Sequence, residues 1–141
     1  FSGFIFCQAD LVLQEYPDIN SNTYFGVANP YFVTQTPNAA QIVRIRSNWQ
    51  QNSVTWNTQP TVAAANAATI PGITTSPSYT AGSDNPTITI TGIMQDVQNR
   101  GVDRGIEIRM PVNGIPSTAA RQFGAKATTP LSFRAKLIFY Y

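Results

Sequence analysis

Four cations stand in pairs two residues apart, Arg44 with Arg46 and Arg134 with Lys136. At the two-residue period of a strand, both members of a pair project from one face. Planar guanidinium groups bind carboxylates in bidentate fashion, so two such pairs would suit the uronate groups of an acidic polysaccharide. Tyr140, on the face of Arg134 and Lys136, would offer a ring to stack on a sugar. The plainer reading of these residues is solvated charge on an outer strand face. Trp49 and Trp56 offer a second route to sugar, through stacking. Trp49, however, shares strand parity with Val43 and Ile45, and Trp56 stands beside Val54 at a strand end, so both indoles are expected in the core.

Catalytic side chains are scarce. Glycoside hydrolysis needs two carboxyl groups facing across a cleft. Asp96, Asp103 and Glu107 are the candidates, but Asp96 is expected to decorate a short helix and Glu107 to alternate with Arg109 on an outer face. Histidine is absent and there is one cysteine, which removes His-based general bases, Cys-His dyads, the Ser-His-Asp triad and the usual zinc sites. Cys7, in the run Phe4-Ile5-Phe6-Cys7, reads as a small buried thiol. A non-enzymatic chain without a cofactor is expected. Calcium is the one ion considered, through the oxygen-rich loops Asp18-Ile19-Asn20-Ser21-Asn22 and Gly82-Ser83-Asp84-Asn85.

Composition narrows the partners. The 141 residues suit one domain, 1–141. Only 11% of them are charged, nine basic against seven acidic for a net +2, with no basic run. Nucleic acid, which calls for clustered cations, is therefore a poor fit. No apolar stretch reaches the roughly 18 residues of a membrane span. Abundant threonine favours strands, and a polar, weakly charged surface suits a secreted or assembled β protein. The start at Phe1 reads as a mature, processed or truncated chain.

Hydrophobic periodicity then supplies the elements that must position these residues. Alternation predicts strands over 4–16, where Ala9, Leu11 and Leu13 share a face, and over 41–49, where Val43, Ile45 and Trp49 oppose Ile42, Arg44 and Arg46. Further strands are expected at 24–27, 31–33, 53–56, 87–91, 105–110, 120–124 and 132–141. In the last, Phe133, Ala135, Leu137, Phe139 and Tyr141 face Arg134, Lys136, Ile138 and Tyr140 across the strand. Ile93, Met94 and Val97 predict one short helix near 93–100. Residues 57–86 read as a long irregular insertion with a weak strand near 68–73. The expected fold is all-β, an antiparallel jelly-roll-like β-sandwich with that one helix.

Several strings of the chain resemble the DNRLRE-domain family, also called disaggregatase-related repeats. They are Ala9-Asp10-Leu11-Val12-Leu13, Trp49, Val54-Thr55-Trp56-Asn57-Thr58-Gln59-Pro60, Asp96-Val97-Gln98, Gly101-Val102-Asp103-Arg104-Gly105-Ile106, Arg121-Gln122-Phe123 and Ala135-Lys136-Leu137-Ile138-Phe139-Tyr140. The Val-Thr-Trp-Asn-x-x-Pro element, with Val54, Trp56, Asn57 and Pro60, is the specific part. The resemblance implies an extracellular jelly-roll-like module of secreted or cell-surface proteins, non-catalytic, with structural adhesion or carbohydrate binding as its usual roles. Some members bind alginate.

Against that family pattern the segment between Trp56 and Thr87 is long, and the family's amino-terminal strand has no counterpart in the sequence. An edge so exposed is expected to be covered by another segment of the protein or by a strand from a neighbouring subunit. The first expectation for function is thus a structural or adhesive subunit of a cell-surface assembly or filament. The alternative is a carbohydrate-binding module for acidic polysaccharide, using Arg44, Arg46, Arg134, Lys136 and Tyr140.

Overall fold

A computed structural model of the chain describes residues 5–13, 39–72, 86–110 and 134–141. These form β1 (Gln8–Val12), β2 (Ala40–Ile45), a 3-10 turn (Trp56–Thr58), β3 (Val62–Ile70), β4 (Thr87–Thr89), α1 (Thr91–Arg100), β5 (Ile106–Arg109) and β6 (Lys136–Tyr140). They assemble into two antiparallel three-stranded sheets, ordered β4-β1-β6 and β3-β2-β5. The fold is small, rich in strand and sandwich-like, with one helix. The strands expected at 24–27, 31–33 and 120–124 lie outside the described residues.

Each sheet contributes one face to a shared core. Ala9, Leu11 and Leu13 alternate inward from β1, and the register sets Phe139 opposite Ala9 and both Leu137 and Ile88 opposite Leu11. Phe6 meets Phe139 edge to face, with ring centroids 5.1 Å apart and planes at 64°. From the second sheet Ala40, Ile42 and Ile70 enter the same cluster. The face expected for β1 is the observed one; on the terminal strand Phe139 packs on the core, whereas Leu137 and Tyr141, expected on the same face, are exposed. Asp10, on the opposite face of β1, is buried nonetheless: its two carboxylate oxygens accept from Gln8 Nε2 (2.8 Å) and Thr89 Oγ1 (2.9 Å), which satisfies the group away from water.

The helix joins the two sheets. Ile90 N donates to Ala9 O at 2.8 Å, and Ala9 N donates to Thr91 Oγ1 at 3.0 Å, so the chain turns from β4 into α1 against β1. Ile93, Met94 and Val97 face inward at helical spacing, as their periodicity predicted. Gly101, with φ of 65°, ends the helix in the left-handed conformation that glycine adopts freely, its N–H donating to Gln98 O.

Three expectations are corrected here. Residues 57–86 are not irregular throughout, because β3 runs for nine residues from Val62 to Ile70, earlier and longer than the weak strand expected near 68–73. Its Ala-rich sequence hid it: the strand is fixed by pairing to β2 and not by side-chain alternation. The pairing also breaks register. Ile42 opposes Ala68 and Arg44 opposes Ala63, so β3 carries a bulge centred on Asn66, whose φ is 60°. Second, β2 stops at Ile45, so Trp49 does not lie on a strand, and 53–56 is turn and not strand. Third, Cys7 is exposed: it lies one residue before β1, its N–H donating to Tyr140 O at 2.9 Å and its Sγ 3.4 Å from the same oxygen.

Candidate functional site

The proposed cation cluster does not form. Arg44 and Arg46 belong to the β2 segment of one sheet, whereas Lys136 and Tyr140 lie on β6 of the other and Arg134 just precedes it. Arg44 is only 5% exposed, and its Nε donates to Asp96 Oδ2 at 3.0 Å. Register explains the burial: Arg44 shares the inward face of β2 with Ile42, and α1 covers that face. The Val43 and Ile45 face is buried as well, so β2 has no outer side on which a cation would be solvated. Arg46, one residue past β2, is exposed, as are Lys136 and Tyr140.

Asp96 is likewise not a surface decoration of α1. It takes Arg44 on one side and, at 3.7 Å, Arg100 one turn along the helix. Asp103 Oδ1 accepts the Gly105 N–H at 2.8 Å and so shapes the turn into β5. Glu107 opposes Val43 in register, on the face of the second sheet turned away from Asp96. The three carboxylates are therefore assigned to a buried ion pair, a turn and an opposite sheet face. A shallow depression of about 430 Å³ beside α1 is lined by Ile5, Phe6, Gln95, Gln98 and Asn99, none of them ionisable. Among the described residues no three His, Cys, Asp or Glu side chains gather as metal ligands. The calcium candidates at 18–22 and 82–85 lie outside those residues.

What the structure presents is the connection between β2 and β3. Arg46 N donates to Thr61 O at 2.7 Å and Thr61 N to Ser47 Oγ at 2.9 Å, closing a neck below residues 48–60. Ser53 N and Val54 N both donate to Gln50 O at 3.1 Å, which folds 50–54 into a tight turn. Thr55 N then donates to Thr58 Oγ1 at 2.8 Å, the Thr55 and Thr58 hydroxyls lie 2.9 Å apart, and Thr58 N donates to Thr55 O at 3.1 Å. This reciprocal arrangement caps the 3-10 turn of Trp56–Thr58 with side chains in place of water.

The two tryptophans have different fates, and neither is buried as expected. Trp49 is 44% exposed, and its Nε1 donates to Arg104 O at 2.7 Å; Arg104 Nε donates in turn to Asn48 Oδ1 at 2.8 Å. These bonds fasten the base of the loop to the segment leading into β5. Trp56, carried on the capped turn, is 86% exposed, beside the exposed Val54 and Asn57 and with Pro60 partly buried at the return to β3. Hydrophobicity alone assigned both rings to the core, whereas the chain leaves the sheet at Arg46 and carries them outward. The polar runs Gln50-Gln51-Asn52-Ser53 and Asn57-Thr58-Gln59 are the sequence signal for that exit. Asn48, Thr55, Thr58 and Arg104 hold the loop, which alternation did not mark.

No helix among the described residues is long and apolar enough to cross a membrane. Comparison of the chain with protein-family models, with curated proteins and with solved structures returned no match.

Proposed function

We propose that this chain is a non-catalytic, extracellular adhesive module that makes its contacts through the Trp49–Pro60 loop. The observation that carries the reading is the exposure of Trp56 on a turn closed by its own hydrogen bonds. A large aromatic ring with two side-chain torsions, carried on an ordered turn, loses little freedom when a partner covers it, and tryptophan is enriched in binding hot spots. The low charge and the likeness of Val54-Thr55-Trp56-Asn57 and Pro60 to DNRLRE modules support the same reading. Self-assembly into a surface filament, with a neighbour's strand beside β6, is its extended form.

Retention of the fluorescently labelled protein on surfaces tests it. Insoluble polysaccharides, mucin, collagen and a layer of the protein itself provide the panel. Retention on at least one surface, abolished by Trp56→Ala in a variant of unchanged thermal stability, is expected. Failure to adhere to any surface, or adhesion indifferent to Trp56→Ala, would overturn the proposal.

A further inference from the structure

The chemistry around Trp56 narrows what that loop would hold. From Ser47 to Ile70 the chain contains no Asp, Glu, Lys or Arg. Among the described residues, Arg104 is engaged with Asn48 at the base of the loop, and Arg46 lies at the neck. Neither belongs to the turn that carries the indole. Gln50, Gln51, Asn52, Ser53, Asn57 and Gln59 are all exposed on this segment and bring amides and a hydroxyl but no charge. Val54, 37% exposed, is the other large apolar side chain exposed between residues 50 and 60.

We infer that the Trp56 turn is a binding site for neutral sugar. The indole face stacks on one pyranose ring, and neighbouring side-chain amides meet its hydroxyls. The inference rests on the adhesive reading of this loop and names its ligand class. Three features favour a neutral sugar over other occupants. The exposed large apolar side chains of this turn, Trp56 and Val54, offer a sugar's C–H face a flat ring but little beside the roughly 800 Å² that each partner contributes to a standard protein interface. Amides donate and accept at once, as paired hydroxyls require, whereas carboxylates of a uronate would call for the cations this turn lacks. The capped turn orders the backbone that carries the ring before binding, so less of a shallow one-ring contact is lost to ordering of the loop.

The site differs from the acidic-glycan patch expected of Arg44, Arg46, Arg134, Lys136 and Tyr140, and the two make opposite predictions with salt. A titration of the native chain, its tryptophan emission compared with that of Trp56→Phe so that the Trp56 signal is isolated while the Trp49 bond to Arg104 O is kept, separates them. The probes are hexasaccharides of cellulose, xylan and mannan beside oligomers of alginate and polygalacturonate. A blue shift of Trp56 emission with at least one neutral hexasaccharide is expected, with the same midpoint in about 0.5 M salt, where the Debye length is only a few ångströms. Trp56→Ala in the otherwise native chain, followed by calorimetry, is expected to weaken binding at least tenfold, with Trp56→Phe intermediate. Response to uronate oligomers alone, lost in salt, would overturn the inference in favour of a charged site. No response to any oligosaccharide would also overturn it, and if Trp56-dependent surface retention persisted, the adhesive reading would stand with a protein partner in place of sugar.

Discussion

Arg44 Nε lies 3.0 Å from Asp96 Oδ2, an ion pair between β2 and α1 that spans 52 residues of sequence and leaves Arg44 almost wholly buried. It is placed where the helix covers the second sheet, and it turns a residue that alternation assigned to a solvated face into part of the interior. A buried guanidinium without its carboxylate keeps the full desolvation cost, so breaking the pair from one side is more harmful than removing it.

Asp96→Ala is therefore expected to lower stability by about 3 kcal/mol, the lower end of the usual range because Asp96 itself is partly exposed. The double variant Arg44→Met with Asp96→Ala is expected to recover more than half of that loss. Urea denaturation of the two single variants and the double variant measures it. Additive losses would show that the pair is not coupled.

Asn66 and Gly92 form a second coupled pair. A Cβ at Gly92 would sit 3.1 Å from Asn66 Cγ, while Asn66 holds φ at 60° and its Nδ2 lies 3.4 Å from Gly92 O. Gly92→Ala alone is expected to gain nothing, because the crowding offsets the roughly 0.5–1 kcal/mol that alanine offers a helix. In an Asn66→Gly background the space opens, and the bulge takes its left-handed residue without strain. There Gly92→Ala is expected to stabilise by about 0.5 kcal/mol or more, read as the interaction energy of a double-mutant cycle by thermal unfolding.

Much of the architecture was legible because burial on one face writes a period into the sequence. Ala9, Leu11 and Leu13 in β1 and Ile93, Met94 and Val97 in α1 show it. Where both faces are buried the period misleads. In β2, Ile42, Val43, Arg44 and Ile45 are all interior, so parity correctly separated Arg44 from Val43 but said nothing about which face met water. β3 was illegible for the opposite reason, since alanines carry too little contrast to mark a face. The loop failed in a third way. Trp49 continues the parity of Val43 and Ile45 on paper, yet four residues past β2 it has left the sheet, and parity has no meaning off a strand.

Thr58 is the residue on which the shape of the loop turns. Its hydroxyl oxygen accepts from Thr55 N and stands 2.9 Å from the Thr55 hydroxyl. Thr58→Val keeps the volume and removes these contacts together with the hydroxyl's 3.3 Å hydrogen bond to Ser53 O. Global stability is expected to change by no more than about 1 kcal/mol, the scale of an exposed cap. Amide exchange at residues 53–58 is expected to accelerate at least tenfold, with surface retention reduced. Unchanged exchange would show that the turn is held by something other than these hydroxyls.

The account depends most on the two tryptophans having different duties. Trp49 fastens the loop through its bond to Arg104 O, whereas Trp56 faces outward and is proposed to meet a partner. Thermal unfolding and surface retention of Trp56→Ala, measured side by side, test this most directly. The expected result is an unfolding temperature within about 2 °C of the parent and retention abolished. A fall of many degrees would contradict the account, since truncating a buried tryptophan costs about 3–5 kcal/mol and would show the indole to be packing. Retention that survives the substitution would contradict it equally.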